Sequence, residues 1–270
     1  MKPPPTRLPD HEARRLLQLV TGLDSAGVGL LTALEADQVV RFNELVERRL
    51  AGEPLQYLEG TVQFGPVEVA VDGRVLIPRP ETEILWERAV AALDTADENT
   101  VIVDMGTGSG ALALALKHAF PAARVYATDI DPDAADLARE NVAEAGVTVF
   151  TGDLFAALPS WMRGHVDLLI SNPPYVAEGD YLPPDVRDHE PPRALFAGPK
   201  GDEVLERIAE QAFQWVKPGG WVFVEIGETQ AERVVELFAD FRCAVLEDLA
   251  GRPRIVSGFR GVTSCVEGNR

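Results

Sequence analysis

Asn172-Pro173-Pro174-Tyr175 follows the apolar run Val166-Asp167-Leu168-Leu169-Ile170-Ser171. An asparagine held by two prolines at the exit of a buried strand suits a site that keeps a flat NH2-bearing group still. Pro173 excludes Asn172 from helical backbone, and Pro174 does the same to Pro173, so the segment is extended and nearly rigid. Asn172 offers a side-chain carbonyl acceptor, and neither proline has an N–H to occupy the neighbouring carbonyls. Two acceptors can therefore face one NH2 group. The nitrogen of an amide or of adenine is a poor nucleophile because its lone pair is delocalised. Acceptors on both hydrogens favour the geometry in which that pair points at an electrophile, and such orientation contributes several kcal/mol, with about 7–11 kcal/mol as a ceiling. Tyr175 adds a flat stacking or edge contact. The chemistry indicated is transfer of a methyl group to a weak nitrogen. The structural alternative is an ordinary Pro-Pro turn after a strand.

The elements upstream favour the chemical interpretation. Thr100-Val101-Ile102-Val103-Asp104 is expected to be a buried strand running into Met105-Gly106-Thr107-Gly108-Ser109-Gly110-Ala111 and then an apolar helix over residues 112–120. Strand, glycine turn and helix in that order make a cradle where backbone N–H groups meet a ligand. Gly106-x-Gly108-x-x-Ala111 also fits the dinucleotide fingerprint. A second strand, residues 123–128, ends in Asp129, 23 positions beyond Gly106, where a ribose-binding carboxylate is expected. Asp131-Pro132 has the form of a helix N-cap and first helical residue. A third strand, residues 147–150, ends at Gly152-Asp153, and the fourth ends at Asn172. Asp104 with its glycines, Asp129, Asp153 and Asn172 therefore fall on one rim of an open α/β sheet.

Each aspartate could instead be a plain cap or turn residue. The joint arrangement argues for a ligand. A nicotinamide dinucleotide would use the glycines and Asp129 but give Asn172-Pro173-Pro174-Tyr175 no task. S-adenosylmethionine uses all of them and needs no basic residue at the loop.

The asparagine motif, the glycine loop and Val75-Leu76-Ile77-Pro78-Arg79-Pro80-Glu81-Thr82-Glu83 together resemble the bacterial release-factor glutamine N5-methyltransferases, called PrmC or HemK. The resemblance runs from Gly52-Glu53-Pro54-Leu55-Gln56-Tyr57 to Gly251-Arg252-Pro253-Arg254. It implies a Rossmann-like class I methyltransferase sheet that uses S-adenosylmethionine and releases S-adenosylhomocysteine. The implied substrate is the glutamine side-chain amide in the Gly-Gly-Gln tripeptide of class 1 peptide-release factors, methylated by direct SN2 transfer without a strong base. Residue by residue, it places Asp104, Gly106, Thr107, Gly108 and Gly110 at the cofactor, Asp129 on the ribose hydroxyls and Asp153 by the adenine. Asn172 and the Pro173 carbonyl would grip the substrate amide beside Pro174 and against Tyr175. Arg79, Glu81, Glu83 and Glu190 would border the substrate entrance, although the first three also suit a Pro-punctuated linker entering a helix near Glu81, with acidic residues in its first turn. Gly198-Pro199-Lys200-Gly201-Asp202-Glu203 departs from the Gly-Leu-containing version expected in the family.

Composition bounds the remaining choices. The chain has 270 residues, 46% of them hydrophobic, enough for one sizeable core and a smaller domain. No early apolar segment and no membrane-length apolar run occurs, so a cytoplasmic location is expected. Cys243 and Cys265 are expected to be free thiols. His11, His118, His165 and His189 lack ligand spacing, so no metal is expected. Residues 1–80 carry 9 basic and 11 acidic side chains, the remainder 16 and 32. The acidic excess of the second part repels a phosphate backbone and argues against the adenine-N6 nucleic-acid methyltransferases that share the Asn-Pro-Pro-Tyr solution. A glutamine methyltransferase acting on a ribosomal protein would share every motif, and a noncatalytic cofactor-binding scaffold would leave the rigid segment without a purpose. Arg14, Arg15, Arg48 and Arg49 lie on helix-like segments, as solvated faces or a partner-docking surface.

The organisation expected is a helical domain over residues 1–60, with helices at 10–20 and 35–50 and a frayed Pro3-Pro4-Pro5 start. A β-hairpin linker over 61–80 follows, with turns at Gly65-Pro66 and Asp72-Gly73. Residues 81–270 alternate strands and helices as a doubly wound α/β sheet. There Lys217-Pro218-Gly219-Gly220 forms a turn before a strand at 221–226, and strands near 243–246 and 254–259 make an antiparallel edge.

Overall fold

Apolar residues recurring at helical spacing in the first sixty positions fold as α1 (Asp10–Thr21), α2 (Ser25–Gly29), α3 (Ala36–Leu50) and α4 (Leu55–Glu59) in the computed structural model, which describes residues 7–262. Pro3-Pro4-Pro5 and Cys265 lie outside the described residues. Leu16 and Val20 from α1, Phe42, Leu45 and Val46 from α3, and Leu55 and Leu58 from α4 share one buried cluster. Each such side chain contributes about 1.5–3 kcal/mol when removed from water. Arg49 on α3 clamps α1 by donating to both oxygens of Glu12 at 2.8 and 2.9 Å. Gly60 ends α4 in the left-handed region, φ 79°, and turns the chain into the hairpin β1 (Thr61–Phe64) and β2 (Val67–Ala70). Phe64 pairs with Val67, so Gly65-Pro66 is the turn.

From there the chain forms α5 (Pro80–Leu93), β3 (Val101–Met105), α6 (Ala111–Ala119), β4 (Arg124–Asp129), α7 (Pro132–Val142), β5 (Thr148–Thr151) and β6 (Val166–Ser171). The short elements β7 (Val176–Ala177), α8 (Pro184–His189), α9 (Pro192–Leu195) and β8 (Phe196–Gly198) follow, then α10 (Glu203–Trp215), β9 (Val216–Glu225), α11 (Ala231–Leu237), β10 (Arg242–Glu247) and β11 (Pro253–Phe259). The large sheet has the order β10-β11-β9-β6-β3-β4-β5. All its strands are parallel except β11, which pairs antiparallel with both neighbours. β3 and β6 are buried at every position, as apolar strands covered on both faces must be. Helices α5, α6 and α7 and the hairpin cover one face through Leu85, Leu112, Leu116, Leu137 and Phe64; α10 and α11 cover the other through Leu205, Ile208 and Val234.

The expected turn at Lys217-Pro218-Gly219-Gly220 is instead an interruption inside β9. Val166 pairs with Val216 and Leu168 with Trp221, so the four residues loop out between two paired positions, with Gly219 at φ 83°. The edge at β10 and β11 is antiparallel as the sequence suggests. Cys243 sits in β10 as a free thiol. Among the described residues no helix is long and apolar enough to cross a membrane.

Candidate active site

The rim begins where β3 ends. The chain leaves Met105 through Gly106, Gly108 and Gly110 with φ of 73°, 54° and 80°, a left-handed course that residues with a Cβ resist. The N–H groups of Gly106 and Thr107 both donate to the carbonyl of Thr128 on β4, at 2.8 and 2.9 Å, which fixes the loop to the next strand. Thr107 donates its hydroxyl to Asp104 Oδ2 at 2.5 Å. Gly108 N–H donates to Asp129 Oδ2 and Asp131 N–H to Asp129 Oδ1, each at 2.9 Å, so that carboxylate is aimed by two backbone donors. Asp131 caps α7 by accepting from Asp133 N–H, with Pro132 as the first helical residue.

These strand ends wall a cavity of about 340 Å³. Of the residues singled out in the sequence, Asp104, Gly106, Thr107, Gly108, Asp129, Asp153, Asn172, Pro173 and Pro174 line it. Asp153 is tied to Arg207 at 2.5 Å. Gly110 does not line the cavity: a Cβ there would stand 3.3 Å from Ala138 Cβ and Val142 Cγ1, so this glycine lets the loop pack on α7. Arg79, Glu81, Glu83, Glu190 and Tyr175 do not line it either. Arg79 pairs at 2.5 Å with the buried Glu190, which brings the start of α5 to the end of α8.

The residue of the Arg79-to-Glu83 string that reaches the cavity is Thr82. Asn172 Nδ2 donates to Thr82 Oγ1 at 3.0 Å, and Thr82 donates its hydroxyl to Glu225 Oε2 at 2.7 Å. Tyr175 donates its phenol to the other oxygen, Glu225 Oε1, at 3.3 Å. Sequence reasoning passed over Thr82 and Glu225. The available signals were helical spacing, which puts Thr82 on the buried face of α5 with Leu85 and Ala89, and strand alternation, which puts Glu225 on the face of Phe223. Asn141 of α7 also went unnoticed. It accepts from Ala70 N–H at 2.9 Å and donates to the carbonyls of Ala70 at 2.9 Å and Ser109 at 2.8 Å, which fastens the hairpin to the glycine loop.

Gly198-Pro199-Lys200-Gly201-Asp202-Glu203 backs the asparagine motif. Glu203 accepts from the N–H groups of Lys200 and Gly201 at 2.8 and 2.9 Å. Gln230 donates to the carbonyls of both Tyr175 and Gly201, at 3.2 and 2.9 Å.

Burial pushes the Asp104 carboxyl up to about 7 against the opposing Thr107 hydrogen bond. Burial likewise raises Glu225 to about 7, opposed by the bonds from Thr82 and Tyr175. Asp129 is raised by burial, with the N–H groups of Asp131 and Gly108 opposing it. Among the described residues neither Asp104 nor Asp129 has a basic partner within ion-pair distance, whereas Arg193 and Arg207 in the same wall pair with Asp131 and Asp153, so the two unpaired carboxyls can complement a cation. Thr128 Oγ1, also in the cavity wall, is buried without a hydrogen-bond partner. Carboxylates with lone pairs to spare, an unmatched hydroxyl and a glycine loop fit an adenosyl group carrying a sulfonium.

A doubly wound sheet with one antiparallel strand, a glycine loop after its central strand, an acidic residue after the next and Asn-Pro-Pro-Tyr after the fourth define an S-adenosylmethionine-dependent methyltransferase of class I. Residues 6–60 match the family model described as PrmC N-terminal domain, and residues 83–183 match Methyltransferase small domain. The release factor glutamine methyltransferase of Mycolicibacterium smegmatis is 42% identical over 93% of this chain and 91% of its own length. That of Deinococcus radiodurans is 40% identical over 93% of this chain and 91% of its own. A crystal structure of a methyltransferase from Pyrococcus furiosus shares the fold, with a TM-score of 0.54 at 19% identity over 74% of this chain and 92% of that one. The chain belongs to the release factor glutamine methyltransferase family.

Proposed function

We propose that this protein methylates the side-chain nitrogen of the glutamine in the Gly-Gly-Gln tripeptide of class 1 peptide-release factors, with S-adenosylmethionine as donor. The observation that carries this reading is the Asn172 side chain at the cavity wall, its nitrogen committed to Thr82 and its Oδ1 left as acceptor. Bound S-adenosylmethionine supplies an electrophilic methyl group. Asp129, aimed by Gly108 and Asp131, would hold the ribose hydroxyls, the loop of Gly106, Thr107 and Gly108 would follow the cofactor, and Asp153 would lie by the adenine.

Asn172 Oδ1 and the Pro173 carbonyl would accept the two hydrogens of the substrate NH2, which turns its lone pair toward the methyl group. Tyr175, tethered to Glu225, would flank the amide. No side chain has to act as a strong base, because a methylated amide nitrogen that still carries an extra proton gives it up to water.

Residues 1–60 would dock the substrate protein, residues 61–80 would link that helical unit to the catalytic one over 81–270, and Arg79, Glu81, Glu83 and Glu190 would support the entrance. A translation factor as substrate would put the protein in the cytoplasm. Transfer of labelled methyl to a purified release factor, and its absence from a factor whose Gly-Gly-Gln glutamine is replaced, tests the reading. Labelling of ribosomal protein instead would support the neighbouring substrate class.

A further inference from the structure

Thr82 is hydrogen-bonded both to Asn172 and to Glu225, and neither Thr82 nor Glu225 has a direct part in the proposed transfer. We infer that they are positioning residues that lock the Asn172 amide with Oδ1 toward the substrate, an inference that rests on the proposed methyl transfer to an amide nitrogen.

A threonine hydroxyl has one hydrogen to give. Thr82 lies 2.7 Å from Glu225 Oε2, and an ionised carboxylate can only accept, so the hydroxyl hydrogen goes to Glu225. The Thr82 oxygen can then only accept from Asn172, 3.0 Å away, which requires the amide nitrogen at that contact and puts Oδ1 on the opposite branch. The reversed amide would set two oxygens against each other and turn a second NH2 toward the substrate NH2.

Tyr175 reinforces the arrangement, since its phenol donates to Glu225 Oε1 and joins the two ends of the Asn-Pro-Pro-Tyr segment to one carboxylate. Glu225 is 1% exposed, so water does not replace these partners.

Ionisation of Glu225 is what gives the relay its direction. A protonated Glu225 can donate to Thr82, freeing the threonine hydrogen for Asn172 Oδ1 and allowing the amide to turn over. The groups facing Glu225 are Thr82 and Glu81 on α5, the Tyr175 phenol after β6, and Arg254 on β11. Arg254 is itself shared with Asp248 at 3.6 Å and Glu228 at 3.9 Å. Burial and Glu81 hold the Glu225 proton on, whereas the hydrogen bonds and Arg254 take it off. Turnover is therefore expected to rise as pH increases through the neutral range, as Glu225 ionises.

The test uses the full chain with Thr82→Val, Thr82→Ser and Glu225→Gln. Turnover, KM for the release factor and cofactor affinity are measured together with the side-chain amide protons of Asn172 in the 15N NMR spectrum, assigned by their loss in Asn172→Ala. Thr82→Val should lower kcat by about 30-fold or more while cofactor affinity stays within about twofold, and Thr82→Ser, which keeps the hydroxyl, should recover kcat to within about threefold. The Asn172 amide protons should exchange with water about tenfold faster in Thr82→Val and shift with pH in the wild type but not in Glu225→Gln. A Thr82→Val enzyme with wild-type kcat, or an amide signal indifferent to Thr82 and Glu225, overturns the inference. The amide signal needs no substrate. If the wild type fails to methylate a release factor while that signal responds as expected, the positioning stands and the substrate assignment fails.

Discussion

The side-chain amide of Asn172 donates to the hydroxyl of Thr82 at 3.0 Å across 90 residues of sequence. That contact joins the end of β6 to the first turn of α5, and Thr82 passes it on to Glu225 at the end of β9. Three elements brought together only by the folded sheet thus decide which atom of one side chain faces the cavity.

Replacing Asn172 by Ala removes the acceptor without touching the glycine loop or Asp129. We expect kcat to fall about 10²–10³-fold, with cofactor affinity close to wild type. Single-turnover methyl transfer and calorimetric titration of the cofactor give the two numbers. Normal turnover in this variant would show that Asn172 does not hold the substrate amide.

Asp129→Ala acts on the other partner. Its carboxylate is fixed by Gly108 and Asp131 at 2.9 Å each and would accept the ribose hydroxyls, and hydrogen bonds to a charged group contribute about 1.5–3 kcal/mol each. Cofactor affinity is expected to drop about 10–100-fold. An unchanged dissociation constant by calorimetry would remove Asp129 from the binding site.

Stability should be sensitive at Gly201. Its φ is 84°, and a Cβ there would stand 2.8 Å from the Tyr175 carbonyl and 2.9 Å from Ala177 N. Left-handed strain and overpacking together make Gly201→Ala cost about 2–5 kcal/mol, a fall of roughly 4–20 °C in Tm. Thermal unfolding within 1–2 °C of wild type, on the same scale of about 2–4 °C per kcal/mol, would mean that the turn behind Tyr175 yields freely.

Glu225 makes a prediction about pH and stability. Its folded-state carboxyl is raised to about 7, whereas an unfolded glutamate titrates near about 4.3. Between these values the native state holds more protons than the unfolded one, so this group's contribution falls as pH rises, by at most about 1.4 kcal/mol per pH unit, and levels off above 7. Asp104, also raised to about 7, acts in the same direction. Glu225→Gln removes one of the two, so the stability of wild type relative to the variant should decline from pH 5 to pH 8 in urea titrations. Parallel curves would show that Glu225 is not held protonated by burial.

The strands and the glycine loop were legible because each carries a local pattern: apolar runs for β3, β4 and β6, glycines where φ must be positive, Asp131-Pro132 at the start of α7. Residues at strand ends reached the rim for the same reason, since a parallel sheet delivers them there. What the sequence concealed depends on contacts between distant segments. Thr82 lies between two glutamates in the sequence, yet the turn of α5 buries Thr82 and leaves Glu81 and Glu83 more exposed. Glu225 is one polar residue within an apolar strand, and only its neighbours on α5 and after β6 give that carboxylate a role. The short elements α8, α9, β7 and β8 are set by prolines and by pairing with one another, which a periodicity of two or 3.6 does not register. The segment that departs from the family pattern, Gly198 to Glu203, proved to be a turn closed on itself by Glu203.

The most direct test of the account is methyl transfer from labelled S-adenosylmethionine to a purified class 1 release factor, run beside the same factor with its Gly-Gly-Gln glutamine replaced. Label is expected on the unaltered factor alone, at the side-chain nitrogen of that glutamine. Equal labelling of both factors, or of neither while the cofactor still binds, would contradict it.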